Sequence, residues 1–316
     1  MNKASKSAPF LVAIRSADER TVEACFEIVK SQADGAPVHL VSEVPFKKAL
    51  EECFRLAIKS GKQWLITVDA DMILLPGAIH LLVREAEKMP DNYLQIQGRI
   101  LDKITGTVRK AGPRIYRVSL LPKLLELSES MKDHIRPESR LITHAGRNGW
   151  PSRYIPAVMA LHDFEQFYKD IYRKSFVHAR KHPDLLPDMI QRAVLLKDKD
   201  PDYLVMLQAI WDSLIENVEV GIDTRLYTET AEKALNKLNL VEKEGSLTDP
   251  AWEVHKEAIK DLPEIYLQNN LVPYSDSPAE KAGHMSLKKL SSDGIKGIFH
   301  RIGGRLIKLG KKLQMY

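Results

Sequence analysis

Thiol chemistry is nearly missing from this chain. Only Cys25 and Cys53 occur among its 316 residues. Both lie on helix-like segments and neither belongs to a CxxC pair, which excludes a disulfide framework and structural zinc on thiolates and points to a reducing compartment. Long apolar runs are missing too. The opening MNKASKSAPFLVAIRSADER has a basic start but only about five apolar residues before charge returns, too short for the core of a secretion signal. Nothing approaches the roughly 20 apolar residues that span a bilayer. The expected location is therefore the cytoplasm, with attachment to a membrane only from its surface. Internal repeats and low-complexity tracts are lacking as well.

What is present is an ordinary globular composition, 44% hydrophobic and 28% charged, enough for one large domain or two modest ones. The net charge of +5 is unevenly spread. From Ser286 onward eight Lys or Arg face a single acid, Asp293, which leaves 39 basic and 41 acidic residues before it. The basic character belongs to the C-terminal segment.

Along the chain, FLVAIRS (10–16) reads as a buried strand, RTVEACFEIVKSQ as a helix, PVHLVS as a second strand, and FKKALEECFRLAIKSG as an amphipathic helix stopped at Gly61. The alternation predicts a parallel, right-handed α/β sheet with helices on both faces. Another helix, PGAIHLLVREAEKM, precedes a β-rich stretch with Gly and Asp turns, YLQIQGRILDKITGTVRKAGPRIYRVSLL, read as hairpin strands laid over or beside the sheet. A helix over about 122–132 follows, then an irregular basic stretch, RPESRLITHAGRNGWPSRYIP, and a short apolar strand ending at His162 and Asp163. Residues 164–261 are helical in pattern, with breaks at Pro183, Pro187, Pro201 and Gly245, and 262–286 form a Pro- and Ser-bearing linker.

The third strand carries the chemistry. In WLITVDADMILLPGAI, a largely apolar run of five residues leads into Asp69 and Asp71. A parallel strand delivers its last side chains to the carboxyl edge of the sheet, where open α/β folds hold their ligands. Two carboxylates there can share one hard divalent cation, Mn²⁺ or Mg²⁺, of the kind that commonly also binds a substrate diphosphate.

With two βα units before it and a helix after it, VDADMILLPGAI resembles the DxD motif of GT-A nucleotide-sugar glycosyltransferases, most closely the broad family 2 type. The resemblance covers residues 9–165. It implies a GT-A, Rossmann-like mixed sheet (1–163), followed here by the helical region, and transfer of a sugar from a nucleotide-diphosphate donor to a saccharide or lipid-linked acceptor, as in surface polysaccharide assembly. By the same resemblance Ala13, Ile14, Arg15 and Ser16 at the end of the first strand hold the nucleoside, Lys47 or Lys48 stands near it, and Asp69 with Ala70 contacts the nucleotide. Asp69, Asp71 and His162 hold the metal. The family's ARN pattern is absent, KKAL standing in its place, and so is its ED-like acidic motif; of Asp102, Asp133 and Glu138, the preferred base is Glu138, leaving the stereochemical outcome open. A haloacid-dehalogenase-like phosphatase also sets DxD after a strand, with its first Asp as nucleophile. There, however, the motif lies on the first strand and continues with Thr or Val, not on the third followed by Met72. A binding protein on a degenerate version of the fold is the non-enzymatic alternative.

Other motifs have plain structural readings beside functional ones. HARKH sets His178 and His182 at i, i+4, a zinc-compatible spacing, but with no third ligand nearby the preferred reading is a solvated basic face. HAGRNGW (144–150) has the Gly and Arg of an anion-binding loop and of any surface loop. In the tail (287–316), Ile295, Ile298, Phe299, Ile302, Leu306, Leu309 and Leu313 fall within about 60° of one direction on a helical wheel, with Lys296, Arg301, Arg305, Lys308, Lys311 and Lys312 outside that sector. That pattern fits an interfacial helix on an anionic membrane, or one docked on the protein's own body. Aromatic residues for stacking on nucleic acid are scarce there.

Overall fold

The computed structural model describes residues 8–131, 137–216 and 227–247, and the account that follows concerns these. The expectations for the linker, the tail and Asp133 lie outside them.

An eight-stranded mixed sheet organises the chain, in the order β2-β1-β3-β7-β5-β8-β4 with β6 beside β5. The strands are β1 (Phe10–Arg15), β2 (Val38–Val41), β3 (Trp64–Asp69), β4 (Met72–Leu74), β5 (Gln95–Asp102), β6 (Val108–Arg109), β7 (Arg114–Arg117) and β8 (Ser152–His162). β1 runs parallel to β2 and β3; β7 enters antiparallel between β3 and β5; β8 runs parallel to β5. Strands β1, β3, β5 and β8 therefore end at one edge, and their last residues are Arg15, Asp69, Asp102 and His162.

Alternation along the strands feeds two cores. Val12, Ile14, Ile66 and Val68 pack with α1 (Val22–Gln32) and α3 (Ala78–Ala86). Leu11, Ala13 and Leu65 pack with α2 (Phe46–Ser60), α4 (Leu121–Glu129) and α5 (Pro137–Arg147) on the other face. Each fully enclosed Leu, Ile or Phe adds roughly 1.5–3 kcal/mol. α2 stops where expected: Gly61 closes it in the left-handed conformation at φ 64°.

Two expectations are corrected. The stretch read as irregular, RPESRLITHAGRNGWPSRYIP, contains α5, which takes in His144 and Arg147 of the supposed loop. Pro137 starts it, where a missing N–H costs nothing, and Glu138, Leu141 and Ala145 make its buried face at i, i+3 and i+7. The hairpin strands are not laid over the sheet: β7 is built into it, forming ladders with both β3 and β5.

Beyond β8, helices α6 (Tyr168–Lys181), α7 (Leu186–Leu196), α8 (Asp202–Ile215) and α9 (Thr228–Lys237) surround a core of their own, including Tyr172, Phe176, Met206 and Tyr227. Pro187 does not break this region; it sits in the first turn of α7. Lys103, just past β5, ties the bundle down through Asp202 and through Asp200 at 2.7 Å. Among the described residues no helix is long and apolar enough to cross a membrane.

Candidate functional site

The two aspartates part company at the end of β3. The chain turns through Ala70 and Asp71 and re-enters the sheet as β4, so the period-2 logic that would aim both carboxylates one way is interrupted. β4 is antiparallel to the end of β8, with Met72 opposite His162. This pairing is what brings Asp71 to His162 across 91 residues of sequence: Asp71 Oδ2 lies 3.4 Å from His162 Nε2. The Asp163 N–H donates to the Asp71 carbonyl at 3.2 Å and Asp163 takes the left-handed conformation, φ 64°, which turns the chain back as β8 ends.

Around His162 the carboxylates close in. Its Nδ1 is 3.1 Å from Asp102 Oδ2 and 3.0 Å from Asp163 Oδ2. Asp102, the register partner of His162 on β5, is itself fixed: Oδ1 accepts from the N–H and hydroxyl of Thr105, and Oδ2 from Arg109 at 2.7 Å. Ligand atoms of Asp71, His162 and Asp163 all lie within 4.8 Å of one another, close enough to share one ion, and Asp71 Oδ1 is buried with no hydrogen-bond partner. From α6, Lys174 reaches into this group and pairs with Asp71 Oδ2 at 2.6 Å and with Asp163.

Electrostatics follow the geometry. Burial alone would raise the Asp71 pKa, but Lys174 and His162 hold it well below the usual carboxylate range. Burial would lower the His162 pKa, yet the charges of Asp163 and Asp71 and the hydrogen bond to Asp102 lift it well above the ordinary value. Lys174 is raised in the same way, against its burial, by Asp163 and Asp71. Glu19, in the loop after β1, is pushed up by burial and by the nearby Asp71 charge.

Asp69 goes elsewhere. Its Oδ1 accepts from Arg15 Nε at 2.7 Å, while Arg15 Nη1 donates to Glu138 Oε1 at 2.9 Å and the guanidinium lies 4.7 Å over the Phe46 ring. Among the described residues, Asp69 is not part of the group that could share an ion. Glu138 does not stand free as a base: Oε1 also accepts from the Tyr116 hydroxyl at 2.7 Å and Oε2 pairs with Arg114. Ala13 and Ile14 are enclosed, one in each core, so their side chains face the helices on either side of the sheet rather than its edge. Ala70 is buried, its N–H donating to the Arg15 carbonyl at 2.9 Å and its own carbonyl accepting from Thr21 at 2.6 Å. Lys47 donates to the Met131 carbonyl at 3.1 Å.

Sequence pattern alone does not assign Asp163 and Lys174 to the ion-pair group. Asp163 is adjacent in sequence to a candidate ligand, a usable signal. Lys174 is one of several basic residues on α6, and nothing local sets it apart. His178 and His182 stack with ring centroids 5.4 Å apart; burial pushes the His178 pKa down to about 4.

No family model matches the sequence, and no curated protein matches it. Solved structures with some likeness include a mannosyltransferase from Pyrobaculum calidifontis in complex with GDP-mannose and Mn²⁺ (13% identity, TM-score 0.39, 81% of each chain covered). A glycosyltransferase involved in glycosylation of the major capsid of PBCV-1 aligns at 12% identity and TM-score 0.36 over 48% of this chain and 93% of its own. A CMP:2-keto-3-deoxy-manno-octonic acid synthetase in complex with CTP aligns at 11% identity and TM-score 0.35, over 48% and 91%. At these scores the likenesses carry nothing about ligand or reaction to this chain.

Proposed function

We propose that the chain is a GT-A-type glycosyltransferase that binds a nucleotide-diphosphate sugar together with a divalent cation at the carboxyl edge of its sheet. One observation carries the reading: Asp71 of the DxD segment, His162 and Asp163 converge there within 4.8 Å. Two carboxylates suit Mn²⁺ or Mg²⁺, the imidazole nitrogen favours Mn²⁺ of the two, and the partnerless, buried Asp71 Oδ1 is an acceptor such an ion would satisfy. A bound cation neutralises charge on the departing diphosphate. In this reading Asp102 fixes the His162 ring through Nδ1, leaving Nε2 toward Asp71, and Arg15 positions Asp69 on the nucleotide side.

The test is thermal stability across nucleoside diphosphates and sugar nucleotides, each with Mn²⁺ and with chelator, since a ligand of the native state raises Tm by mass action. A Mn²⁺-dependent shift with one nucleotide is expected in the native chain. Asp71→Asn removes the shift from Mn²⁺ alone, while Asp69→Asn keeps it and weakens the nucleotide's. Loss of neither in Asp71→Asn would overturn the assignment. A second reading, sugar-nucleotide binding without turnover, is favoured by the consumption of Glu138 in ion pairs; retained binding with no donor hydrolysis or transfer would establish it.

Residues 287–316 belong to the same proposal as a basic, amphipathic attachment to anionic lipid that brings the site to a lipid-linked acceptor. Deleting them is expected to abolish cosedimentation with phosphatidylserine vesicles, and unchanged sedimentation would refute the membrane role.

A further inference from the structure

We propose that Lys174 competes with the divalent cation for Asp71 and Asp163, so that the ion enters this site only as the lysine leaves. The inference rests on the metal-binding reading above and adds to it a resident that sets affinity. The ammonium sits between the two carboxylates that would take the ion, 2.6 Å from Asp71 Oδ2 and in contact with Asp163 Oδ1. It is delivered from outside the sheet, on α6, with its side chain only 13% exposed.

Charge makes the two cations alternatives. Asp71, Asp163 and Asp102 face Lys174, Arg109 and His162 in one cluster. A divalent ion added beside Lys174 would put like charges within a few ångströms in a poorly hydrated site, where Glu19 and Asp170 are the further acids in electrostatic reach. The lysine can leave without moving its helix. α6 is held in place from elsewhere: the Tyr168 and Lys169 N–H groups donate to Glu242 at 2.7 and 3.0 Å, and Tyr172 and Phe176 lie in the bundle core. Four rotatable bonds separate the ammonium from that anchored backbone.

A protein mostly in its lysine-held state shows a Kd for the ion raised by the reciprocal of the competent fraction. Lys174→Met is therefore expected to bind Mn²⁺ at least about tenfold more tightly than the native chain, by titration of free Mn²⁺ in electron paramagnetic resonance. Its Tm in chelator falls, because two buried carboxylates lose their cation, and Mn²⁺ raises that Tm further than in the native chain. Lys174→Arg, which keeps the charge, stays near the native affinity. Should Lys174→Met not fold, the native chain supplies the test. Lys174 is then expected to resist amine acetylation without metal and to label severalfold faster with saturating Mn²⁺, read by mass spectrometry; continued protection while Mn²⁺ binds overturns the competition.

The ways of failing are distinct. Native and Lys174→Met chains that bind Mn²⁺ equally refute the competition and leave the metal reading intact. Neither chain binding Mn²⁺ refutes both. Metal-free binding of a sugar nucleotide that Lys174→Met abolishes would overturn the competition in favour of Lys174 standing in for the ion.

Discussion

Asp69 and Asp71 stand two residues apart and enter opposite kinds of surroundings. Asp69 joins a cluster run by arginines: Arg15 bridges it to Glu138, and Glu138 takes Arg114 and the Tyr116 hydroxyl as well. Asp71 joins a cluster run by a lysine and a histidine, and keeps one buried oxygen without a partner. Guanidinium groups in a planar, many-donor arrangement make a closed assembly that a small ion does not readily replace. An ammonium on a flexible stem and an orphaned carboxylate oxygen make the assembly proposed above to exchange its cation. The same tripeptide thus joins an arginine-held framework on one side and the proposed ion site on the other.

The sharpest way to break that contrast is to remove the centre of the arginine cluster. Glu138→Ala leaves Arg15 with Asp69 alone and takes from Arg114 its carboxylate partner, and is expected to cost about 3–5 kcal/mol, since breaking a buried pair strands charge that water no longer solvates. Urea unfolding at neutral pH measures it. The Mn²⁺-induced rise in Tm is expected to survive, because Asp71, His162 and Asp163 do not depend on Glu138. A variant as stable as the native chain would show that Glu138 was free for chemistry after all.

The contrast was half legible in the sequence. A largely apolar run leading into Asp69-Ala70-Asp71 placed the acids at a sheet edge, and the apolar run before His162 placed the histidine at the same kind of end; β4 and β8 then joined them. What local pattern could not supply was partner choice. β4 has only three residues, too few for a period to register, and the turn at Ala70 that separates the aspartates leaves no mark in hydropathy. The insertion of β7 between β3 and β5 is long-range pairing with no local signature. Helix α5 was obscured because Ser139, Arg140, Thr143, Gly146 and Arg147 make its exposed side, while only Glu138, Leu141 and Ala145 make the buried one. A charged residue on that buried face reads as a base candidate from sequence and as an arginine's counter-ion from structure. Lys174 lay on a helix whose apolar face was evident and whose polar face points to no particular target.

A smaller change tests how the arginine cluster is held. The Tyr116 hydroxyl donates to Glu138 Oε1 at 2.7 Å, and its ring packs edge-on against Phe54 with centroids 5.5 Å apart. Tyr116→Phe keeps the ring contact and removes one donor from a carboxylate that still has Arg15 and Arg114. The expected cost is therefore about 1 kcal/mol, that of one hydrogen bond whose acceptor stays paired. Unfolding in urea should show a lower midpoint at unchanged slope, and Mn²⁺ binding should be untouched. In Glu138→Ala the same substitution should cost almost nothing more, because its acceptor is already gone; the pair would then show a coupling close to the single-variant effect. A cost for Tyr116→Phe as large as that of Glu138→Ala would mean that the hydroxyl, rather than the two guanidinium groups, holds Glu138 in place. The framework side of the comparison would then be as replaceable as the lysine side.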